Sequence, residues 1–305
     1  MEIKTIMRKS LLAAVLVVSL KEAQAQSAGA FFRKPRIAID IAPQYSHQYT
    51  RWSIAGNAAG TNPNVLSELI WKDIQTAGLL STATIHVNPS WFIRGEASWS
   101  GIISGTATDR DYGKDNRSEM LYNGFFDAGK GRVFEVKAGL GYEWHFNNDY
   151  VLQFNPDFVY QTQNLYLLPA DANTPSNLRS TYNQQWKGVQ LKVNFKIPLY
   201  SKFFLHPNIA YTQLRYNAVA DWNMVPSFQH PISFKHQANG YQIQPGLKLQ
   251  FANKVFIQLQ AAWWHTGAGR EWLYMANDDV HTTKLNEVYR RAFTVQVGVP
   301  IAVLQ

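Results

Sequence analysis

The sequence predicts an all-β fold, a single closed antiparallel transmembrane β-barrel of about ten strands and outer-membrane type, and three observations lead to it. The first is a period-two alternation that recurs from Arg36 to the end of the chain. Val189, Leu191, Val193, Phe195 and Ile197 alternate with Gln190, Lys192, Asn194 and Lys196. Tyr241, Ile243, Leu247, Leu249 and Phe251 are interleaved with Gln242, Gln244, Lys248 and Gln250 in the same way. Successive side chains on a strand point to opposite faces, so one face is apolar and the other polar. The polar face is too charged for a soluble core, and the apolar face is too long and aromatic for water. A closed barrel in lipid accommodates both and leaves no strand edge unpaired.

The second observation is the N-terminus. Met1 to Ala25 carries Lys4, Arg8 and Lys9, then the apolar run from Leu11 to Leu20, then Ala23-Gln24-Ala25. That is the layout of a cleaved secretory signal peptide, with an apolar run too short to span a bilayer. A short periplasmic segment, 26–35, follows it, and no later stretch offers about twenty consecutive apolar residues. The expected destination is the outer membrane.

The third observation is that the turns alternate in size. Strands are expected at 36–52, 66–86, 91–104, 132–146, 150–166, 187–200, 203–219, 235–251, 255–273 and 287–303. Short turns fall at Asn88-Pro89-Ser90, Asn147-Asn148-Asp149, Tyr200-Ser201-Lys202 and Ala252-Asn253-Lys254. Long polar loops fall at 53–65, 105–131, 167–186, 220–234 and 274–286. Short periplasmic turns and long outer loops are the outer-membrane pattern, and an even strand number returns both termini to the periplasm. Several segments exceed the 9–11 residues that cross a bilayer, so the wall is expected to project outward.

Composition narrows the function. The charge of +8 falls to +6 on cleavage, because the leader takes Lys4, Arg8, Lys9 and Lys21 against Glu2 and Glu22. Basic residues are spread through the strands rather than gathered in a stripe, so no nucleic-acid partner is implied. With no cysteine, disulfides and thiol chemistry are excluded. Ten Trp, fifteen Tyr and seventeen Phe suit girdles at the two interfaces. On the polar parity lie Asp40, Arg94, Glu96, Glu135, Lys137, Glu143, Asp157 and Lys192. Mixed signs at close quarters predict a lumen plugged by paired side chains, which disfavours a small diffusion porin.

Three stretches carry a family resemblance: Leu66-Ser67-Glu68-Leu69-Ile70-Trp71-Lys72, the Asp109-Arg110-Asp111-Tyr112 end of the loop that starts at Ser104, and Tyr182-Asn183-Gln184-Gln185-Trp186-Lys187. In strand order and loop size as well, the chain resembles the omptins, ten-stranded outer-membrane surface endopeptidases. The resemblance implies a catalytic site built from an Asp pair on the second loop and an Asp-x-His on the fourth, with the His as general base on water. Asp109 and Asp111 match the pair. The fourth loop reads Ala220-Asp221-Trp222-Asn223, so Asp221 matches and the base position holds Asn223. An amide takes up no proton at neutral pH, so the omptin mechanism cannot run through it.

Two functions therefore stand side by side. One is a non-proteolytic surface barrel whose acidic cleft binds cationic peptides or ligands. The alternative is a divergent endopeptidase favouring basic sites, with His230 or His236 as replacement base. A calcium site at Asp109, Asp111 and Asp115 lacks the closing bidentate Glu of an EF-hand, so no metal is assigned. Arg215 and Arg291 share the outward parity of their strands near the outer interface. Guanidinium matches phosphate bidentately, and the omptin resemblance implies contact there with outer-membrane lipid, lipopolysaccharide in particular.

Overall fold

The computed structural model describes residues 37–304, apart from 147–149, 173, 201 and 253. The expected leader, the 26–35 segment and the Asn147-Asn148-Asp149 turn lie outside the described residues. Twelve strands form one antiparallel sheet. They are β1 (Ile37–Ile54), β2 (Ser67–His86), β3 (Trp91–Lys114), β4 (Ser118–Asp127), β5 (Gly131–Phe146) and β6 (Tyr150–Leu167), followed by β7 (Ser180–Tyr200), β8 (Phe203–Asp221), β9 (Phe234–Phe251), β10 (Val255–Thr266), β11 (Gly269–Tyr274) and β12 (Val280–Leu304). Neighbours in sequence pair with each other except β4 with β5 and β10 with β11, and β1 pairs with β12 from Ile37↔Leu304 to Ile54↔Leu285, closing the ring.

The twelve segments fill ten staves. Both β4 and β5 pair with β3, one above the other, and both β10 and β11 run between β9 and β12. The stave of β4 and β5 is interrupted at 128–130, where the Gly129 amide turns back to donate to Asp127 Oδ1 at 3.1 Å. That of β10 and β11 is interrupted at Gly267-Ala268. The ten expected strands are thus present, with one correction. The stretch 105–131 is a tall hairpin of upper β3 and β4, so Asp109 and Asp111 sit on a strand. The later starts expected for β7 and β12 are also moved, to Ser180 and Val280.

Parity is as the alternation requires. Leu79, Ile93, Trp99, Leu140, Val189, Leu191, Ile209, Tyr211, Leu247, Ile257, Phe293 and Val297 are exposed on the outer wall, where lipid would cover them. Gln190, Gln242, Gln296, Lys137 and Asp157 are buried in the bore. Lys137 Nζ lies 3.1 Å from Glu96 Oε1 and 2.7 Å from Glu135 Oε1. Arg94 reaches Glu96 at 3.1 Å, and Lys248 reaches Asp40 at 2.8 Å. A charge withdrawn from water persists only when paired and hydrogen-bonded, and these pairs supply that.

Toward the outer end the bore turns aromatic. Trp71 stacks on Tyr182 at 5.3 Å, Tyr182 lies 5.8 Å from Trp52, Trp52 packs edge-on to Phe234 at 5.8 Å, and Trp222 lies 5.3 Å from Phe234. Because β2 and β7 are four places apart in a ring of ten staves, the Trp71–Tyr182 stack crosses the bore. The indole of Trp71 donates to Tyr166 O at 3.2 Å, which satisfies its one polar atom. This layer is a floor under the outer mouth.

Candidate functional site

One wall of the mouth carries the acidic pair. Above a register shift at Ser104, β3 presents Ala107, Asp109 and Asp111 to one face, opposite Trp71, Leu69 and Ser67 of β2 and opposite Phe126, Gly124 and Tyr122 of β4. Residues two apart share a face, so both carboxyls point the same way as the buried Ala107 and Phe126. Asp109 is only 6% exposed, and its Oδ1 has no hydrogen-bond partner. Burial and then the adjacent Asp111 push its carboxyl up to about 8, against the opposing Ser67 hydroxyl. Burial also raises Asp111, which stands nearer the opening. The Tyr122 phenol is raised by burial first and then by Asp109 and Asp111. Gly124 leaves the space this arrangement needs, since a Cβ there would come within 2.7 Å of the Phe126 ring.

The other wall carries Asp221, the last residue of β8, and the loop after it. His230 Nδ1 lies 2.7 Å from Asp221 Oδ1, an exposed imidazole held by a carboxylate. Asn223 does something else. Its carboxamide oxygen accepts from the Arg179 amide at 2.9 Å and the Ser180 hydroxyl at 3.0 Å, and its nitrogen donates to Asn177 O at 3.0 Å. It ties the β8–β9 loop to the chain entering β7.

His236 is on β9 and fully buried. Its Nδ1 meets the Tyr182 hydroxyl at 2.7 Å, and its Nε2 lies 3.1 Å from Glu271 Oε1. Glu271 Oε2 accepts the Thr283 hydroxyl at 2.6 Å, and Tyr182 meets the Tyr216 hydroxyl at 2.5 Å. With both ring nitrogens engaged inside the aromatic floor, His236 is a packing residue and no base for a surface substrate. His281 stands exposed on β12 opposite Leu273.

The two walls are four staves apart, and among the described residues no hydrogen bond links Asp109 or Asp111 to Asp221, Asn223 or His230. The sequence reading missed Ser67 and Tyr122 beside the acids and Glu271 beside His236. Tyr122, Gly124 and Phe126 do alternate with Leu121, Asn123 and Phe125, but neither set is wholly apolar, so the strand left little signal.

On the outer wall, Arg215 is exposed opposite Lys187 on β7 and Asn239 on β9. Arg291 is exposed with its guanidinium 5.1 Å from the Tyr49 ring centre. Staves β9 and β10 separate them, so they belong to different stretches of the wall.

A family model described as Pom, Protochlamydia outer membrane protein, matches residues 42–303. No curated protein matches. Among solved structures, the outer membrane protease OmpT from Escherichia coli is similar with a TM-score of 0.65 and 12% identity, over 90% of this chain and 99% of that one. The transport unit of the autotransporter AIDA-I from Escherichia coli gives 0.37 and 9%, over 94% and 97%. The toluene transporter TodX from P. putida gives 0.33 and 8%, over 90% and 92%. At these identities the first likeness speaks for the fold alone, and the other two carry no argument.

Proposed function

The chain belongs to the Protochlamydia outer membrane protein family and is an outer-membrane β-barrel, and from that premise we propose that its outer mouth binds cationic peptides or ligands without cleaving them. The observation that carries this reading is Asp109. A buried carboxyl with an orphan oxygen beside a second carboxyl is a costly arrangement, and a ligand ammonium or guanidinium between Asp109 and Asp111 relieves it. The phenol of Tyr122, across from Asp111, adds a polar group beside the same pair. Asn223, locked into its loop, provides no base.

The pH dependence follows with a definite sign. Asp109 holds its proton up to about pH 8, so cation binding must displace it. Affinity for an Arg-Arg peptide should rise roughly tenfold per pH unit between pH 6 and 8 and then level off. Calorimetry on the barrel in nanodiscs measures this, and Asp109→Asn should abolish both the slope and most of the affinity. A flat profile in the wild type would refute the site. In the empty protein the same shift works against stability: the unfolded chain ionises near pH 4 and the folded one near 8, so stability falls across that window.

A second reading is favoured by one contact, the 2.7 Å Asp221–His230 pair, which is how a carboxylate orients an imidazole base. Intact cells incubated with a quenched dibasic peptide discriminate between the two. The binding reading expects no fluorescence; cleavage that disappears in His230→Ala would establish an endopeptidase with His230 as base.

For the lipid outside, Arg215 with its cross-strand neighbour Lys187, and Arg291 separately, are the phosphate contacts this reading assigns. Neither arginine has a carboxylate partner among the described residues. Lipopolysaccharide retained in native mass spectra should fall in the Arg215→Ala, Arg291→Ala double variant, and further when Lys187→Ala is added. Unchanged retention would reduce them to interface anchors.

A further inference from the structure

The tall hairpin leaves one strand edge open. Over Ser118–Phe126 the pairing partner of β4 is β3 alone, and only at its foot does Asp127 bridge to Leu168 beside β6. Above that bridge alternate backbone N–H and C=O groups of β4 face outward from the sheet as far as the register shift at 120–122, with no further strand paired to them among the described residues. Open edges are ordinarily blunted by lysine, proline or a charge in mid-strand. Between Glu119 and Asp127 this edge reads Met-Leu-Tyr-Asn-Gly-Phe-Phe, with none of those. On its outer face stand Phe125, 61% exposed, and Asn123, while a register shift beside Tyr112 takes Leu121, 66% exposed, out of that alternation and brings it against Gly113. Arg110 of β3 reaches Asn123 Oδ1 at 3.2 Å, the only partner among the described residues for its guanidinium.

We propose that β4 is a docking edge for an extended segment of a partner polypeptide, which adds to the sheet as a further strand outside the cell. Main-chain hydrogen bonds to the open edge supply affinity, and side chains on alternate positions supply selectivity. The outer face of the added strand must offer an apolar residue beside Phe125 and an acidic one beside Asn123 and within reach of Arg110, and past the register shift Leu121 supplies one more apolar contact. A second copy of this chain does not meet the requirement. Two barrels upright in one membrane are related by a two-fold axis along its normal, which sets their β4 strands parallel and level. A parallel ladder needs a one-residue stagger, which that symmetry forbids. The anchoring side chains of Phe125 and Asn123 lie on the face of the hairpin opposite the acidic pair.

The probe is a fluorescent Val-Thr-Glu-Thr-Val peptide added to the full barrel in nanodiscs, read by anisotropy and by hydrogen exchange. Binding should slow exchange of the 118–126 amides, fall at least tenfold when alternate peptide nitrogens are methylated, and fall similarly in Phe125→Asp and in Leu121→Lys. Two variants guard against one failing to fold, and heat-modifiable migration checks both. No binding of the probe, equal binding of the methylated peptide, or protection confined to other segments would overturn the proposal. So would cross-linked dimers of this chain that vanish in Leu121→Lys, which would make the occupant a second copy.

Discussion

An arginine placed at Leu191 or Ile209 should cost the barrel about 2–4 kcal/mol, because both side chains stand exposed on the lipid-facing parity of the membrane-crossing wall. Reversible unfolding from lipid vesicles measures it. The matched control on the opposite parity is Gln250→Arg, near the periplasmic turn, which should be milder. Parity alone would nominate Gln190 equally, but the structure rules it out as a control. Gln190 is fully buried, donates to the Thr212 hydroxyl at 3.0 Å and shares a small void with Arg94, Lys137 and Lys192. An arginine there would add a fourth cation to a packed cluster. Equal costs at Ile209 and Gln250 would mean that the register is wrong.

The second large effect is expected inside the bore. Lys137→Met leaves Glu135 without its ammonium and Glu96 with Arg94 alone, and stranding buried charge in this way costs about 3–5 kcal/mol. Adding Glu135→Gln to the same chain should recover most of the loss, since it removes the stranded carboxylate while Glu96 keeps Arg94 at 3.1 Å. If the single variant were as stable as wild type, the triad would be solvated, and the lumen at that level would be open to water.

How much of this was readable in advance depends on where lipid is. The alternation of Val189 to Ile197 and of Phe293 to Val297 is imposed by hydrocarbon on one side and a polar bore on the other, so ten staves and their parity followed from the sequence. The inward charges followed too, including the mixture of signs that the Glu96–Lys137–Glu135 triad resolves. Above the bilayer both faces of the wall meet water or protein, and the constraint that writes the alternation is gone. That is why β4 and the first turns of β7 and β12 read as loop.

The site divides along the same line. The omptin resemblance of these stretches singled out Asp109, Asp111 and Asp221 and set Asn223 at the base position, where the chemistry of an amide excludes a base. It could not show that Tyr122, Gly124 and Phe126 fold back beside Asp109, nor that His230 reaches Asp221 from nine residues away while His236 turns inward to Glu271. Apart from the nine-residue reach of His230, those pairings join segments well separated in sequence. Burial of a carboxyl, and with it the raised affinity for a proton or a cation, depends on which distant residues exclude water from it. The sequence by itself determined the barrel, its parity and the residue types at its mouth, because membrane physics acts on every second residue. Only the tertiary structure decided which acid is buried and orphaned, which histidine meets a carboxylate at the surface and which inside the floor, and which strand edge stays open, because each depends on how the chain folds back on itself.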